Sequence, residues 1–321
     1  MEKITVPEDV YDVVIVGGGP GGLTAGLYAA RSSMKAILLE GLYTVSQISL
    51  TDIVENYPGI PEISGFELID RFKNQAVSFG LEVRPEHAQS LEKSSIGDID
   101  GWAVTTEQNV FRSLSVIIST GAEWRHLGVP GEEEGIGQGV SFCATCDAPF
   151  YRNREVAVVG GGDTAVQEAL YLTKFASKVT IIHRRDRLRA TGILQERAHA
   201  NDKIAFAWDS VVEEILSDNG VRGVKIRDIR SQDDTREIAV DGVFLFIGLI
   251  PKTDLVKEVV NCDEDDYIIT DDDMRTSAPG LFACGDCIRK SLRQVVTACG
   301  DGATAANSAG IYVDELKGQA Y

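Results

Sequence analysis

The feature that most constrains the fold is a short apolar run, a glycine cluster and a helix-forming stretch in succession, a pattern that occurs twice. The first copy covers residues 13–30 and the second covers residues 156–170. In each copy, β-branched residues favour a strand, glycines tolerate the positive φ of a tight turn, and Ala and Leu favour a helix. Two strand–turn–helix units of this kind predict an α/β protein with two Rossmann-like dinucleotide-binding domains.

The glycine spacing in both copies fits the dinucleotide-binding pattern G-x-G-x-x-G/A. The matching residues are Gly17, Gly19 and Gly22 in the first copy, and Gly160, Gly162 and Ala165 in the second. Missing side chains let a pyrophosphate approach the N–H groups at the helix N-terminus, where the helix dipole favours negative charge. A glycine-rich turn that binds nothing is the alternative for a single match, but two complete settings favour nucleotide binding. Asp163 and Thr164 lie inside the second motif and belong to its predicted binding set.

The residue after the next predicted strand has a different charge in the two copies. Glu40 follows Gly17 by 23 positions, where a carboxylate accepts hydrogen bonds from ribose hydroxyls. His183 follows Gly160 by 23 positions and is followed by several arginines. Guanidinium groups there suit a 2′-phosphate through charge-assisted hydrogen bonds, whereas a solvated basic helix start is the alternative. The first unit is therefore predicted to bind FAD and the second NADPH, the latter through His183, Arg184, Arg185 and Arg189.

The C-terminal part of the chain carries a further element of the predicted flavin site. A short apolar strand ends at Gly285 and Asp286, where the carboxylate can contact the ribityl chain of FAD and the glycine leaves room for it. Residues 300–306 are predicted to open another Ala-rich helix whose N-terminus faces the flavin.

If both ends of the chain serve one flavin, the second nucleotide unit is an insertion in the first domain. We therefore predict an FAD domain made of residues 1–121 and 250–321, and an NADPH domain made of residues 122–249. Both crossings contain glycine and follow apolar strands, so they are plausible hinges.

Cys143 and Cys146, separated by two residues, are the predicted working group. Two thiols at this spacing can close a small disulfide and reopen it, and a low thiol pKa favours exchange. Asp147 follows directly and can move protons to and from a thiolate. The alternative is half of a zinc site, completed by Cys284 and Cys287. Because those two flank the predicted flavin carboxylate, we expect them to be small buried residues instead.

Composition limits the partners and the compartment. The 321 residues carry a formal net charge of −18, which excludes nucleic acid and anionic membrane surfaces as expected partners. Six cysteines are too few for a disulfide scaffold. We see neither a secretory signal nor an apolar stretch of membrane-spanning length, so the predicted location is the cytoplasm. No metal is expected.

In the order and spacing of these motifs, the chain resembles the low-molecular-weight thioredoxin reductases of the flavoprotein disulfide reductase superfamily, nearly end to end. Besides the two glycine motifs, the resemblance rests on residues 55–59 (ENYPG), 143–147 (CATCD), 183–186 (HRRD), 285–286 (GD) and 293–294 (RQ). It implies two domains of the three-layer ββα type, with the NADPH domain inserted into the FAD domain. It also adds residues to the expected FAD site, namely Pro20, Gln47, Asn56, Arg293 and Gln294.

The resemblance further implies the order of electron transfer: NADPH to FAD, FAD to the disulfide, and the dithiol to thioredoxin. By motif position, Cys146 faces the flavin, Cys143 attacks the thioredoxin disulfide, and Asp147 is the acid/base. A homodimer is implied as well. The thiol pair and the nicotinamide site need the same flavin from one domain, so one domain rotates against the other between half-reactions.

Two departures from the family pattern concern the flavin site. The family usually has Gly-Gly-Gln where this chain has Val45, Ser46 and Gln47, and Cys284 stands where alanine is common.

Three rival functions differ from this one in the electron acceptor, in the electron donor or in the class of protein. These are a reductase of peroxiredoxin-type proteins, whose additional N-terminal dithiol domain has no room before residue 17, a ferredoxin-dependent relative, and a flavin-binding sensor without turnover.

Overall fold

The computed structural model describes residues 7–41, 46–50, 54–231 and 234–319, without the side chains of Leu50, Thr145 and Cys146. Contacts divide the chain into two compact units, one formed by residues 1–123 and 250–321 and the other by residues 124–249. The strands are β1 Tyr11–Val16, β2 Ala36–Leu39, β3 Glu82–Arg84, β4 Ser90–Ile96, β5 Ile99–Thr105, β6 Val110–Ile118, β7 Ala122–Trp124, β8 Val140–Ser141, β9 Glu155–Gly160, β10 Lys178–Ile182, β11 Ile204–Ala207, β12 Ser210–Ser217, β13 Val221–Asp228, β14 Thr235–Ala239, β15 Gly242–Phe246, β16 Leu249–Pro251 and β17 Leu281–Ala283.

The helices are α1 Pro20–Arg31, α2 Gly65–Ser78, α3 Glu132–Gly135, α4 Ala144–Asp147, α5 Asp163–Leu172, α6 Gly192–His199 and α7 Val295–Leu316. Short 3₁₀ turns cover Gln47–Leu50, Ala148–Tyr151 and Gly285–Cys287. None of the helices in the described ranges is both long and apolar enough to cross a membrane.

The first unit is built on a parallel sheet of order β3-β2-β1-β6, to which β5 and β4 add antiparallel strands. The long strand β6 has two partners in succession, because β5 pairs with its first half and β17 with its second half. One face of the sheet packs against α1 and α7, and the other packs against β4 and β5. Both faces are therefore covered, which explains why residues 13–16 are apolar without alternation.

The second unit repeats this organisation. Its parallel sheet has the order β11-β10-β9-β15-β8, and a separate antiparallel sheet contains β12, β13 and β14. In β9, Val156 and Val158 pack with α5, whereas Ala157 and Val159 pack with the antiparallel sheet. The two units confirm the predicted α/β class: each is a Rossmann-like domain of the three-layer ββα type, and the second interrupts the first in sequence.

The chain passes between the units at the strands β7 and β16, which pair with each other. Each strand is preceded by a glycine in the left-handed region, Gly121 at φ +73° and Gly248 at φ +120°. The N–H of Lys252 donates to the Gly121 carbonyl at 2.9 Å, and the N–H of Arg125 donates to the Gly248 carbonyl at 3.0 Å. Other residues would be strained at both glycines.

The prediction that a helix opens at residues 300–306 is wrong. The helix α7 begins at Val295, because Gln294 and Thr297 form reciprocal capping hydrogen bonds at its N-terminus. Gly302 is tolerated inside the helix because it lies against α1, where an added Cβ would be 2.1 Å from the Gly21 carbonyl oxygen. The N-terminus of α7 is therefore at Gln294, and Asp301 lies within the helix.

Candidate active site and nucleotide sites

The parallel strands of the first unit end in register. Val16 is level with Leu39 and Ile118, and Ile118 is level with Ala283. The next residues in the chain, Gly17, Glu40, Ser119 and Cys284, therefore meet at one edge of the sheet. Ligands of open α/β sheets bind outside this carboxyl edge.

The first glycine motif is shaped by close backbone approaches. Gly17 has a φ of +115°, and an added Cβ would lie 2.1 Å from the Ser119 carbonyl oxygen. A Cβ on Gly22 would lie 1.9 Å from the carbonyl oxygen of Gly17. Gly19 is the N-cap of α1 and Pro20 is its first residue. The N–H groups of this turn are thus held open to an anion, as the spacing predicts.

Glu40 lies beside this turn and divides its two carboxylate oxygens. Its Oε1 is ion-paired with Lys73 on α2. Its Oε2 would be 3.0 Å from a Cβ added to Gly18, so it faces the glycine turn. The oxygen directed at the turn is placed to accept from the hydroxyls of an adenosine ribose.

Gly285, Asp286 and Arg293 lie together beyond the end of β17. Gly285 has a φ of +79°, and the Asp286 Oδ1 atom is buried with no hydrogen-bond partner among the described residues. Burial raises the pKa of Asp286, while the positive charges of Lys290 and Arg293 oppose that shift. Arg293 stacks on the ring of Tyr267 at 4.0 Å. A buried, unpaired carboxylate oxygen of this kind fits the ribityl hydroxyls of FAD.

The remaining residues of the predicted FAD set lie in the same unit but make protein contacts. The Gln47 amide donates to the Ala122 carbonyl at 2.6 Å. The Asn56 amide donates to the Gln294 side chain at 2.8 Å. Val45, one of the departures from the family pattern, lies outside the described residues, whereas Ser46 and Gln47 are inside them.

Cys284 and Cys287 are free thiols that belong to different apolar cores. Cys284 packs with the helices α1 and α7, and Cys287 packs with the antiparallel strands. Burial raises the pKa of Cys287 to about 11 and also raises the pKa of Cys284. Neither thiol is ionised near neutral pH, so neither has the reactivity that exchange requires. No group of three or more His, Cys, Asp or Glu side chains in the described part of the chain could hold a metal ion.

The second unit has the same arrangement around its glycine turn. Val159 is level with Ile182, so Gly160, the last residue of β9, and His183, the first residue after β10, lie at neighbouring strand ends. A Cβ on Gly161 would lie 2.4 Å from the imidazole of His183, which therefore lies against the glycine turn as Glu40 does in the first unit. The His183 Nε2 atom is buried without a partner in the described part of the chain.

Positive charge surrounds this imidazole. Burial lowers the pKa of His183, and the charges of Arg189, Arg185 and Arg184 lower it further. The three arginines are exposed, and we find no ion pair for any of them within the described residues. Unpaired guanidinium groups around a glycine turn fit a phosphate ester better than an ordinary basic surface. This segment is not the start of a helix, because the next helix, α6, begins only at Gly192.

The arginine segment is tied to the glycine turn by backbone hydrogen bonds. The N–H groups of Arg189 and Ala190 both donate to the Gly161 carbonyl, at 2.7 and 3.2 Å. Asp163 accepts from the N–H of Thr191 at 2.6 Å. Gly162 is the N-cap of α5, with Asp163 and Thr164 as its first residues. Asp163 therefore has a positioning contact that the motif alone does not reveal.

Replacing Asp163 with alanine is expected to raise the KM for NADPH about tenfold, because a hydrogen bond to a charged group contributes roughly 1.5–3 kcal/mol. Its loss frees Thr191 and loosens Arg189. Asparagine keeps an acceptor oxygen at this position but not the charge, so Asp163→Asn is the matched control and should raise the KM less than Asp163→Ala does. Steady-state kinetics with varied NADPH measures both values. An alanine variant with the wild-type KM would contradict the positioning role.

Cys143 lies just before α4, in the same compact unit as the second glycine motif. It is disulfide-bonded, whereas Cys262, Cys284, Cys287 and Cys299 are free. Its backbone is fixed by Ser141, whose hydroxyl accepts from the Cys143 N–H at 3.0 Å and donates to the Cys143 carbonyl at 3.1 Å. Cys146 lies in α4.

Asp147 ends α4 and is half-buried. Burial, and after it the charge of Asp147, raises the pKa of Tyr151. A histidine–carboxylate pair contacts Phe142, the residue before Cys143: the His126 ring packs on Phe142 at 4.8 Å, and His126 Nδ1 is 3.1 Å from the buried Glu132. Sequence patterns gave no sign of this pair.

Known proteins match the chain almost from end to end. The family model described as pyridine nucleotide-disulphide oxidoreductase matches residues 11–302. The thioredoxin reductase of Peptoclostridium acidaminophilum is 48% identical over 315 residues, which cover 96% of this chain and 98% of that protein. The thioredoxin reductase of Listeria innocua is 46% identical over 311 residues, covering 97% of this chain and 96% of that protein. The crystal structure of Lactococcus lactis thioredoxin reductase in the FR conformation matches with a TM-score of 0.90 and 46% identity, covering 95% of this chain and 100% of that one.

Two nucleotide-binding folds, one of which contains a cysteine in a disulfide, define a flavoprotein-type disulfide oxidoreductase. The chain belongs to the pyridine nucleotide-disulphide oxidoreductase family.

Proposed function

We propose that this protein is an NADPH-dependent thioredoxin reductase that uses FAD and a Cys143–Cys146 disulfide. The proposal rests on one observation: the compact unit of residues 124–249 contains both the disulfide-bonded Cys143 and the arginine-rich glycine turn. The similarity to proteins named thioredoxin reductase over nearly the whole chain supports it. Residues 1–121 and 250–321 form the FAD domain, and residues 122–249 form the NADPH domain.

The nucleotide sites have separate tasks. Gly17, Gly19 and Gly22 hold the FAD pyrophosphate, Glu40 its ribose, and Asp286 its ribityl chain. Gly160, Gly162 and Thr164 hold the NADPH pyrophosphate, while His183, Arg184, Arg185 and Arg189 bind its 2′-phosphate. Pro20, Gln47, Asn56, Arg293 and Gln294 complete the FAD site, and Asp163 positions the arginine segment. FAD held by the first set of residues would supply the two-electron carrier between NADPH and the disulfide.

The thiol chemistry then takes place on the chain's own residues. Two electrons and one proton open the Cys143–Cys146 disulfide; Asp147 supplies the proton to Cys146, which leaves Cys143 as the thiolate. The Cys143 thiolate attacks the disulfide of thioredoxin, forming one mixed disulfide and releasing one thioredoxin thiolate. Cys146 then gives its proton to Asp147 and attacks the Cys143 sulfur, which restores the enzyme disulfide and releases the second thioredoxin sulfur as a thiolate. Protons from Asp147 and from water convert the two thiolates into reduced thioredoxin. Rotation of one domain at residues 120–122 and 248–251 allows NADPH and the thiol pair to reach the flavin alternately.

The assembly and location follow from the same proposal. The acceptor is thioredoxin or a thioredoxin-like protein, the protein forms a homodimer, and it works in the cytoplasm. Its charge of −18 argues against nucleic acid or an anionic membrane as a partner.

The test is anaerobic turnover of the purified yellow protein with NADPH and oxidised thioredoxin. One thioredoxin disulfide should be reduced for each NADPH consumed, as measured by absorbance at 340 nm and by thiol titration. Without thioredoxin, consumption should stop after about two equivalents, since the flavin and the disulfide each accept two electrons. NADPH consumption without new thioredoxin thiols contradicts the proposal. So does turnover that requires a peroxiredoxin-type acceptor or reduced ferredoxin.

A further inference from the structure

Four charged side chains lie close together at the turn that carries the proposed ribityl contact. They are two carboxylates and two cations, Asp286, Lys290, Arg293 and Asp301. Asp286 is the residue with the unpartnered buried oxygen, and its pKa, which burial raises, is lowered by both cations and raised by Asp301. The charges of Lys290, Arg293 and Asp301 therefore all act on the carboxylate of Asp286.

Asp301 makes two contacts in this group. Its Oδ2 accepts from the N–H of Gly285 at 3.2 Å, and the same oxygen is ion-paired with the Lys290 ammonium. The pair is well shielded, with the Lys290 and Asp301 side chains only 11% and 17% exposed. Asp301 thus connects α7 both to the left-handed glycine of the turn and to Lys290, a cation that also acts on Asp286.

The contacts have a consequence for Asp286. A partly buried ammonium needs a carboxylate partner, because a lone charge in such a place is strongly disfavoured. While Lys290 is paired with Asp301, it leaves the Asp286 Oδ1 atom without a partner. If Asp301 lost its charge, Asp286 would be the carboxylate that remains for Lys290.

We propose that Asp301 is a positioning residue of the flavin site, which fixes the Gly285–Asp286 turn and holds the Lys290 ammonium away from Asp286. The inference rests on the proposed function in one respect, that Gly285 and Asp286 receive FAD. Asp301 itself does not touch the flavin; it keeps the Asp286 oxygen available to ribityl hydroxyls.

The first variant is Asp301→Asn. Asparagine retains an oxygen for the Gly285 N–H but carries no charge, so Lys290 turns to Asp286 and occupies the oxygen that FAD needs. We expect the dissociation constant for FAD to rise at least about tenfold, since a charge-assisted hydrogen bond to the ligand is lost. The measurement is release of FAD on serial dilution of the holoprotein, followed by flavin fluorescence.

The second variant tests the cause. In Asp301→Asn with Lys290→Met, the competing ammonium is replaced by an uncharged chain of similar length. Asp286 is free again, and we expect the FAD dissociation constant to return to within about threefold of wild type. A role for Asp301 in packing alone would give no such rescue.

A matched control is available in the same unit. Asp12 pairs with Lys317 at 2.6 Å and accepts the N–H of Lys35 at 3.0 Å, so it makes the same two kinds of contact as Asp301. Asp12→Asn should lower the melting temperature and leave FAD release unchanged. The inference is overturned if Asp301→Asn releases FAD like wild type, if Lys290→Met fails to restore binding, or if Asp12→Asn releases FAD equally fast. Wild-type protein that binds no FAD overturns the proposed function instead.

Discussion

Replacing Cys143 with serine is expected to lower the rate of thioredoxin reduction by at least about 10³-fold, because removing a nucleophile outright has effects of that size or larger. A serine hydroxyl is not ionised near neutral pH and cannot form a disulfide, so neither the relay disulfide nor the mixed disulfide can form. Bleaching of the flavin by NADPH should continue, because the nucleotide sites do not include this thiol. Stopped-flow absorbance at 450 nm measures bleaching, and thiol titration measures turnover.

Cys146→Ser should show the same separation of the two activities, since a single thiol cannot close the disulfide. Cys262→Ser is the matched control: Cys262 is a free, half-buried thiol outside the proposed relay, and its loss should leave turnover unchanged. Thioredoxin reduction by either serine variant of the pair would contradict the relay. Loss of bleaching in Cys143→Ser would show that the substitution disturbs nucleotide binding instead.

Replacing Arg184 and Arg185 with alanine is expected to abolish the preference for NADPH over NADH. Each guanidinium–phosphate hydrogen bond contributes roughly 1.5–3 kcal/mol, so each substitution should raise the KM for NADPH by about tenfold or more. NADH has no 2′-phosphate, and its KM should change little. The effect should be larger at low ionic strength, where exposed charges are least screened.

The control for charge alone is Arg197→Ala. Arg197 lies in the last turn of α6 in the same unit, so its removal changes the net charge by as much as either single substitution does. The KM of the Arg197→Ala variant for NADPH should stay at the wild-type value. A double variant that still prefers NADPH contradicts the assignment of the 2′-phosphate site. An equal effect in Arg197→Ala would mean that the preference comes from net charge and not from contacts at His183.

The features that depend on residues close together in the chain could be predicted from the sequence. Gly17 and Gly160 mark turns whose geometry depends on a few neighbouring residues, and both have the positive φ that only glycine tolerates well. The contrast between Glu40 and His183 was also readable, because the residue after the second strand of a βαβ unit always meets the glycine turn. The predicted α/β class with an inserted domain is confirmed as well, because it was inferred from the same two local strand–turn–helix patterns.

Features that depend on distant contacts could not be read in this way. The start of α7 was placed too late, because glycines at 300 and 302 resemble a helix boundary until the contact of Gly302 with Gly21 is known. Cys284 and Cys287 have the spacing of a redox or metal pair, yet they pack in different cores. Spacing along the chain does not specify on which face of a sheet each side chain lies when a turn intervenes.

The sequence by itself therefore determined the two glycine turns, the different residues (Glu40 and His183) that follow the next strand in each unit, and the two-residue spacing of the thiol pair, all of which are properties of local chain geometry. Only the tertiary structure decided which of these residues have further partners: Asp163 with Thr191, Asp301 with Gly285 and Lys290, and Cys284 with the helices. It also decided burial, which raises the pKa of Glu168 on α5 to about 7. Burial and pairing depend on the order and register of strands that are far apart in sequence, and those are settled by packing of the whole domain.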